Sequence, residues 1–195
     1  MRNLLILLLL FPVLCFSQTS KWDSESKIYC DYQNGFSWQL PIEFEWRKEL
    51  GTEKHTVFKV FDETTGITAF VNIVPIVLDT AKETDIFVLY DRYVKAEAEL
   101  RKQQEYVTGE KTVESSMKKV SFAGKNSIKR FYTTEINDDR YEKPFRIVAT
   151  TYTFIYDKST WSISIKCYKE VYDYFKEGGF PVEEIFKGFT FINKY

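Results

Sequence analysis

The side chains able to do chemistry are few, and their spacing limits what they can do. His55 is the single histidine among 195 residues. A zinc site needs several nitrogen or sulfur ligands, and a Ser-His-Asp triad needs a presented nucleophile. No Cys-x-x-Cys spacing and no Gly-x-Ser-x-Gly elbow accompanies that imidazole. Gly51-Thr52 marks a turn and Glu53 and Lys54 are polar, so His55 is expected to open a strand at the surface. Carboxylate pairs stand at Asp62-Glu63, Asp138-Asp139 and Glu183-Glu184. The first two fall at turns, where such groups are solvated. The third sits in the first turn of an expected helix, where negative charge suits the macrodipole. Glycoside hydrolysis requires two carboxyls facing each other across a cleft, and nothing in the sequence points to such a pair. Gly66 and Gly178-Gly179 are isolated, so no phosphate-cradling loop is present. No catalytic residue, cofactor or metal site is assigned.

Two further groups have binding or redox potential. Cys30 and Cys167 are candidates for a disulfide, since an even pair in an oxidising compartment invites one. Cys167 shares the alternation of Trp161, Ile163 and Ile165, and Cys30 alternates with Ile28 and Tyr32, so both are expected to point inward. Inward thiols can be bonded neighbours or small buried hydrophobes. Trp38 and Trp46 flank Pro41, near Phe44. They are either part of a segment folded over the sheet edge or an exposed aromatic contact for a sugar or partner. Trp161 alternates with core residues and is expected to be buried.

The oxidising compartment is inferred from the first residues. Arg2 is followed by an apolar run from Leu4 to Leu14, too short for a membrane span of roughly 20 residues and interrupted by Pro12. Small residues at Cys15 and Ser17 then place a cleavage site after Ser17, so residues 1–17 read as a signal peptide of an exported protein. Acylation and retention of Cys15, as in a lipoprotein, is the alternative; Leu14 is larger than the residue usually found before such a cysteine. Residues 18–27 are expected to be flexible, and 28–195 to form a single domain.

The elements that position these groups follow from periodicity. The full chain carries 27 basic and 28 acidic side chains. This balance gives no sign of nucleic-acid attraction, which calls for a basic excess. Aromatic residues, 17% of the chain, favour a sheet-rich fold. Strands are expected at 28–33 and 36–40 around Asn34-Gly35, a hairpin signal in which both turn positions take positive φ. Further strands are expected at 55–62, 67–76, 112–122, 127–136, 145–156 and 160–168, with 67–76 central in the sheet. Between them the period changes to 3.6. Ile86, Leu89, Tyr90, Tyr93 and Leu100 trace the apolar stripe of a helix over 84–105, broken once at Glu97. Ile86, Tyr93 and Leu100 are expected to hold that helix on the sheet. Short helices over 170–177 and 182–187 precede Phe189 and Phe191. The fold class expected is α+β: one antiparallel sheet packed between a long central helix and short C-terminal helices.

This order of elements resembles the PsbP-like superfamily, which includes photosystem II extrinsic proteins, DcrB-type lipoproteins and a nuclear Ran-binding relative. The features that carry the resemblance are Phe36-x-x-x-Leu40-Pro41 with Trp46 after it, and the strand Ala69-Phe70-Val71-Asn72-Ile73. The hairpin from Tyr152 to Cys167 and the closing Ile185-Phe186-Lys187-Gly188-Phe189-Thr190-Phe191 complete them. The resemblance implies an antiparallel sheet flanked by helices, in proteins that mostly bind or assist other proteins without an active site. The leader and Gln18 also resemble those of small secreted Bacteroidetes proteins. Three functions follow in order: an exported non-enzymatic binding or accessory protein, a carrier of a small apolar ligand such as a lipid, and an unrecognised hydrolase. Their partners would be a protein or an apolar ligand, with no nucleic acid and no membrane span in the mature chain. The carrier requires a closed apolar cavity of about 300 Å³ or more between sheet and helix.

Overall fold

Alternating apolar residues build two antiparallel sheets that pack against each other. The structure, a computed structural model, describes residues 19–49, 51–52, 55–60, 64–75, 85–108, 110–138, 143–178 and 182–193. The leader 1–17 with Cys15, Gln18, the Asp62-Glu63 pair and Asp139 lie outside the described residues, as do the side chains of Tyr93 and Glu97.

The smaller sheet has the order β1-β2-β3-β11, and the larger the order β4-β5-β6-β10-β9-β8-β7. Strands β1 (Ser20–Asp23), β2 (Ile28–Asp31) and β3 (Phe36–Gln39) open the chain, followed by β4 (Trp46–Lys48), β5 (His55–Val60) and β6 (Thr68–Pro75). Helix α1 (Tyr90–Thr108) leads to β7 (Lys111–Phe122), β8 (Lys125–Ile136), β9 (Phe145–Tyr156) and β10 (Ser159–Tyr168). Helix α2 (Lys169–Glu177), a 3-10 helix (Val182–Gly188) and β11 (Phe189–Phe191) follow. Two tight turns set the registers of the long hairpins. Ala123 and Gly124 take φ of 48° and 72°, and Asp157 and Lys158 take 48° and 56°. Turns with two positive φ values match the twist of the strands they join. The first hairpin is built differently. Gly35 takes φ 77°, and the loop before it is closed by the Asp31 carboxylate accepting from the Asn34 N–H at 2.8 Å. The expected pair of positive φ angles at Asn34-Gly35 is therefore reduced to one.

The core lies between the sheets and is largely aromatic. Phe36 from β3 meets Trp161 from β10 edge-on at 5.7 Å and stacks on Phe189 from β11 at 5.3 Å. Trp38 meets Phe58 from β5 at 6.2 Å. Val71, Ile163 and Ile165 complete the floor, all buried. Burial of each such side chain is worth about 1.5–3 kcal/mol, so this interface dominates the stability of the fold.

Two expectations are corrected here. Residues 18–27 were expected to be flexible, yet Ser20–Asp23 pairs along β2 from Asp31 to Ile28. More consequentially, the architecture is mostly β, and the long helix does not cap the sheet. Leu100, expected to anchor it, is 60% exposed, and no described side chain of α1 is buried. Ile86 is buried but precedes the helix. The physical reason is that the second sheet already supplies the apolar cover that the helix was expected to give. Phe36, Trp38 and Phe189 occupy that face, leaving α1 to lie beside β7, with Arg101 reaching Tyr132 of β8 on the other side of the sheet.

Candidate functional site

The opposite face of the large sheet carries the chemistry that strand alternation and α1 bring together. Arg130, Tyr132, Thr134 and Ile136 project from one face of β8, two residues apart. The strand register aligns Ser115, Tyr132, Ala149, Lys166 and Thr68 in one row across five strands. Ala149 is small, so the row opens between Tyr132 and Lys166. Arg101 reaches in from α1. Its guanidinium lies 5.7 Å from the centre of the Tyr132 ring, and that of Arg130 lies 4.8 Å from it. Lys166 stands over Phe70 at 5.4 Å. The result is an open cleft of about 150 Å³ lined by Arg101, Arg130, Lys166, Glu110, Tyr132 and the threonines of β7 and β8. Three cations against one carboxylate make it electropositive, in a chain whose net charge is −1. The two guanidiniums are thus held in orientation by one aromatic ring.

A groove of about 350 Å³ continues from this cleft between α1 and β7. Tyr90, Val94, Ala98 and Arg101 form its helical wall, and Ser115, Ser116 and Met117 its other side. The Tyr90 hydroxyl donates to the Met117 carbonyl at 3.2 Å.

On the core-facing side, α2 and the 3-10 helix gather a second set of titratable groups. Tyr172 donates to Glu183 Oε1 at 3.0 Å, and Lys129 lies 3.9 Å from the same oxygen. Burial pushes the Tyr172 phenol well above its ordinary range, and the Glu183 carboxylate adds to the effect. Burial, then Glu183 and Asp173, push the Cys167 thiol up to about 12. A thiol so held is protonated at neutral pH and is no nucleophile. This cluster therefore locks helix to sheet.

The residues singled out from sequence are placed elsewhere. Cys30 and Cys167 are both free thiols. Cys167 is buried as expected, but on β2 it is Tyr29 and Asp31 that point inward, so Cys30 is on the half-buried outer side. Trp38 and Trp46 are 0% and 3% exposed and form no surface contact. Their ring N–H groups donate to the Ile185 carbonyl at 2.8 Å and the Pro41 carbonyl at 2.9 Å. His55 opens β5, half-buried, its ring 6.1 Å from that of Phe70. Sequence reasoning missed Arg101, Arg130 and Lys166. Alternation along β8 could have paired Arg130 with Tyr132, but meeting Arg101 and Lys166 required the sheet order. Among the described residues no cluster of three or more metal-ligating side chains occurs, and no helix is long and apolar enough to cross a membrane.

No family model and no curated protein sequence matches the chain. Solved structures do. The cyanobacterial PsbP (CyanoP) of Synechocystis sp. PCC 6803 is 13% identical with a TM-score of 0.49, over 87% of this chain and 94% of that one. The Saccharomyces cerevisiae Ran-binding protein Mog1p is 10% identical with a TM-score of 0.42, over 82% and 91%. A Bacteroides thetaiotaomicron VPI-5482 protein is 10% identical with a TM-score of 0.41, over 74% of this chain and 42% of its own. The resemblance to PsbP-like proteins thus stands as a weak likeness. It assigns neither a residue nor a partner to this chain.

Proposed function

We propose that this chain is an exported, non-catalytic binding module that takes an anionic group in the cleft of Arg101, Arg130 and Lys166. The carrying observation is that those three cations, from three separate elements, line one cleft beside an open groove, two of them against the Tyr132 ring. The cleft, at about 150 Å³, is smaller than the roughly 300–1,000 Å³ of drug-sized ligand sites, which favours a carboxylate- or phosphate-sized group. The groove beside it, at about 350 Å³, reaches the size expected of a carrier's cavity, but it is open and bounded by Ser115 and Ser116, which disfavours the apolar carrier. The perturbed titratable groups support the non-catalytic reading, because Cys167 and Tyr172 are both held protonated.

Thermal unfolding with citrate or inorganic phosphate, against chloride at matched ionic strength, tests the cleft. At ten times Kd an anion should add about 1.4 kcal/mol, which raises Tm by roughly 3–6 °C for a domain of this size. The double variant Arg101→Glu, Lys166→Glu should lose that rise. An equal rise in the variant, or none in either protein, would remove the cleft as the site. Export rests on the leader pattern. Amino-terminal sequencing should find Gln18 first; a chain starting at acylated Cys15, or at Met1, would overturn it.

A further inference from the structure

The outer edge of β7 is the most available stretch of backbone in the large sheet. β7 runs for 12 residues at the end of the strand order, and most of its side chains are exposed on both faces. Its hydrogen-bond phase follows from its turn. The two-residue turn at Ala123-Gly124 makes Phe122 and Lys125 a hydrogen-bonded pair. Counting back by twos, Val120, Lys118, Ser116 and Glu114 point their N–H and C=O toward β8. Ser115, Met117 and Lys119 point theirs away. The Tyr90 hydroxyl accordingly finds the Met117 carbonyl on the outer side. Among the described residues no strand pairs there.

We infer that the groove between α1 and β7 accepts an extended acidic peptide segment of a partner protein, which adds as a further strand along Ser115–Lys119. This deepens the binding reading above, since it names the partner class that would carry the anionic groups. Strand addition beside a helix draws its affinity from main-chain hydrogen bonds and its selectivity from alternate side chains. Val94 and Ala98 keep the helical wall low, and the groove of about 350 Å³ is open, so a strand can lie along the edge with part of its length outside the groove. Charge selects the occupant. Lys118, an exposed residue, lies on the core-facing side of the sheet opposite Lys129, whose charge Glu183 already balances. Lys119, Arg101 and Arg130 lie on the other side. A strand sends successive side chains to opposite faces, so an acidic segment can meet both sets at once. A second copy of β7 would instead bring lysine against lysine.

The probe is a fluorescent acetyl-(Glu-Glu-Val-Val)2-amide peptide, which carries Glu on both faces of a strand, with (Lys-Lys-Val-Val)2 and an analogue of the acidic peptide N-methylated at every residue as controls. The acidic peptide should bind at least tenfold tighter than either control and slow hydrogen exchange at the Ser115 and Met117 amides. Ser115→Pro removes an outward donor and no ladder bond, and should weaken binding tenfold or more. Its citrate-induced Tm rise should persist, which separates failure of strand addition from failure of the cleft. The N-methylated control bears on wild-type protein, so the test survives a Pro variant that does not fold. Equal binding of the methylated peptide, or no slowing of exchange along β7, would overturn strand addition. So would a homodimer paired along this edge without peptide binding.

Discussion

Replacing Trp38 by Phe tests where the core of this protein lies. The Trp38 side chain is fully buried between the sheets, and its N–H donates to the Ile185 carbonyl at 2.8 Å. Phenylalanine keeps an aromatic ring but cannot donate. The Ile185 carbonyl, itself on a buried residue, then loses its partner at a cost of about 1–3 kcal/mol. The smaller ring also leaves a void beside Phe58 and Phe189, adding about 1–2 kcal/mol of lost burial. The sum is about 2–5 kcal/mol, or a fall in Tm of roughly 4–20 °C for a domain of this size. Guanidinium unfolding followed by far-UV circular dichroism measures it. The midpoint should move down with an unchanged slope, the sign of altered stability without altered compactness. A loss under about 0.5 kcal/mol would mean that Trp38 is a surface residue and that the two sheets do not form the principal interface.

Three other outcomes follow from the same structure. Leu100→Ala should change stability by less than about 0.5 kcal/mol, because the side chain is mostly exposed; a loss of 2 kcal/mol or more by chemical denaturation would restore α1 as a core element. Gly188→Ala should prevent stable folding or shift Tm by more than 10 °C, since its Cβ would lie 1.9 Å from the Gln39 carbonyl oxygen; a near-native melting curve would refute that close approach. Cys167 should resist thiol reagents at pH 8 until the protein unfolds, and rapid labelling of the native protein at that residue would contradict its burial. Its raised pKa also sets a pH dependence. The contribution is intact below the ordinary thiol value of 9.0 and is lost as pH rises from there toward about 12, because only the unfolded chain releases the proton first. Denaturation midpoints that rose across that range would show the opposite sign.

The sequence by itself determined most of the local structure. Alternation in Trp161-Ser162-Ile163-Ser164-Ile165 can only bury one face of a strand, and the observed burial follows it through Cys167. The turns at Ala123-Gly124 and Asp157-Lys158 fall in the gaps between the expected strands, and Gly124 and Asp157 are residue types that tolerate the positive φ found there. What it did not determine is which apolar surfaces meet. The stripe through Ile86 and Leu100 satisfies helical periodicity, but periodicity only states that a face could be buried. A second sheet, assembled from β1, β2 and β3 with the distant β11, takes the position that α1 was expected to fill. The same limit hid the cleft. Arg101, Arg130 and Lys166 are 29 and 36 residues apart along the chain, and nothing local to any of them announces the others. Only the tertiary structure, which sets β10 two places from β8 and α1 beside β7 with Arg101 reaching Tyr132, gives three charges a common address.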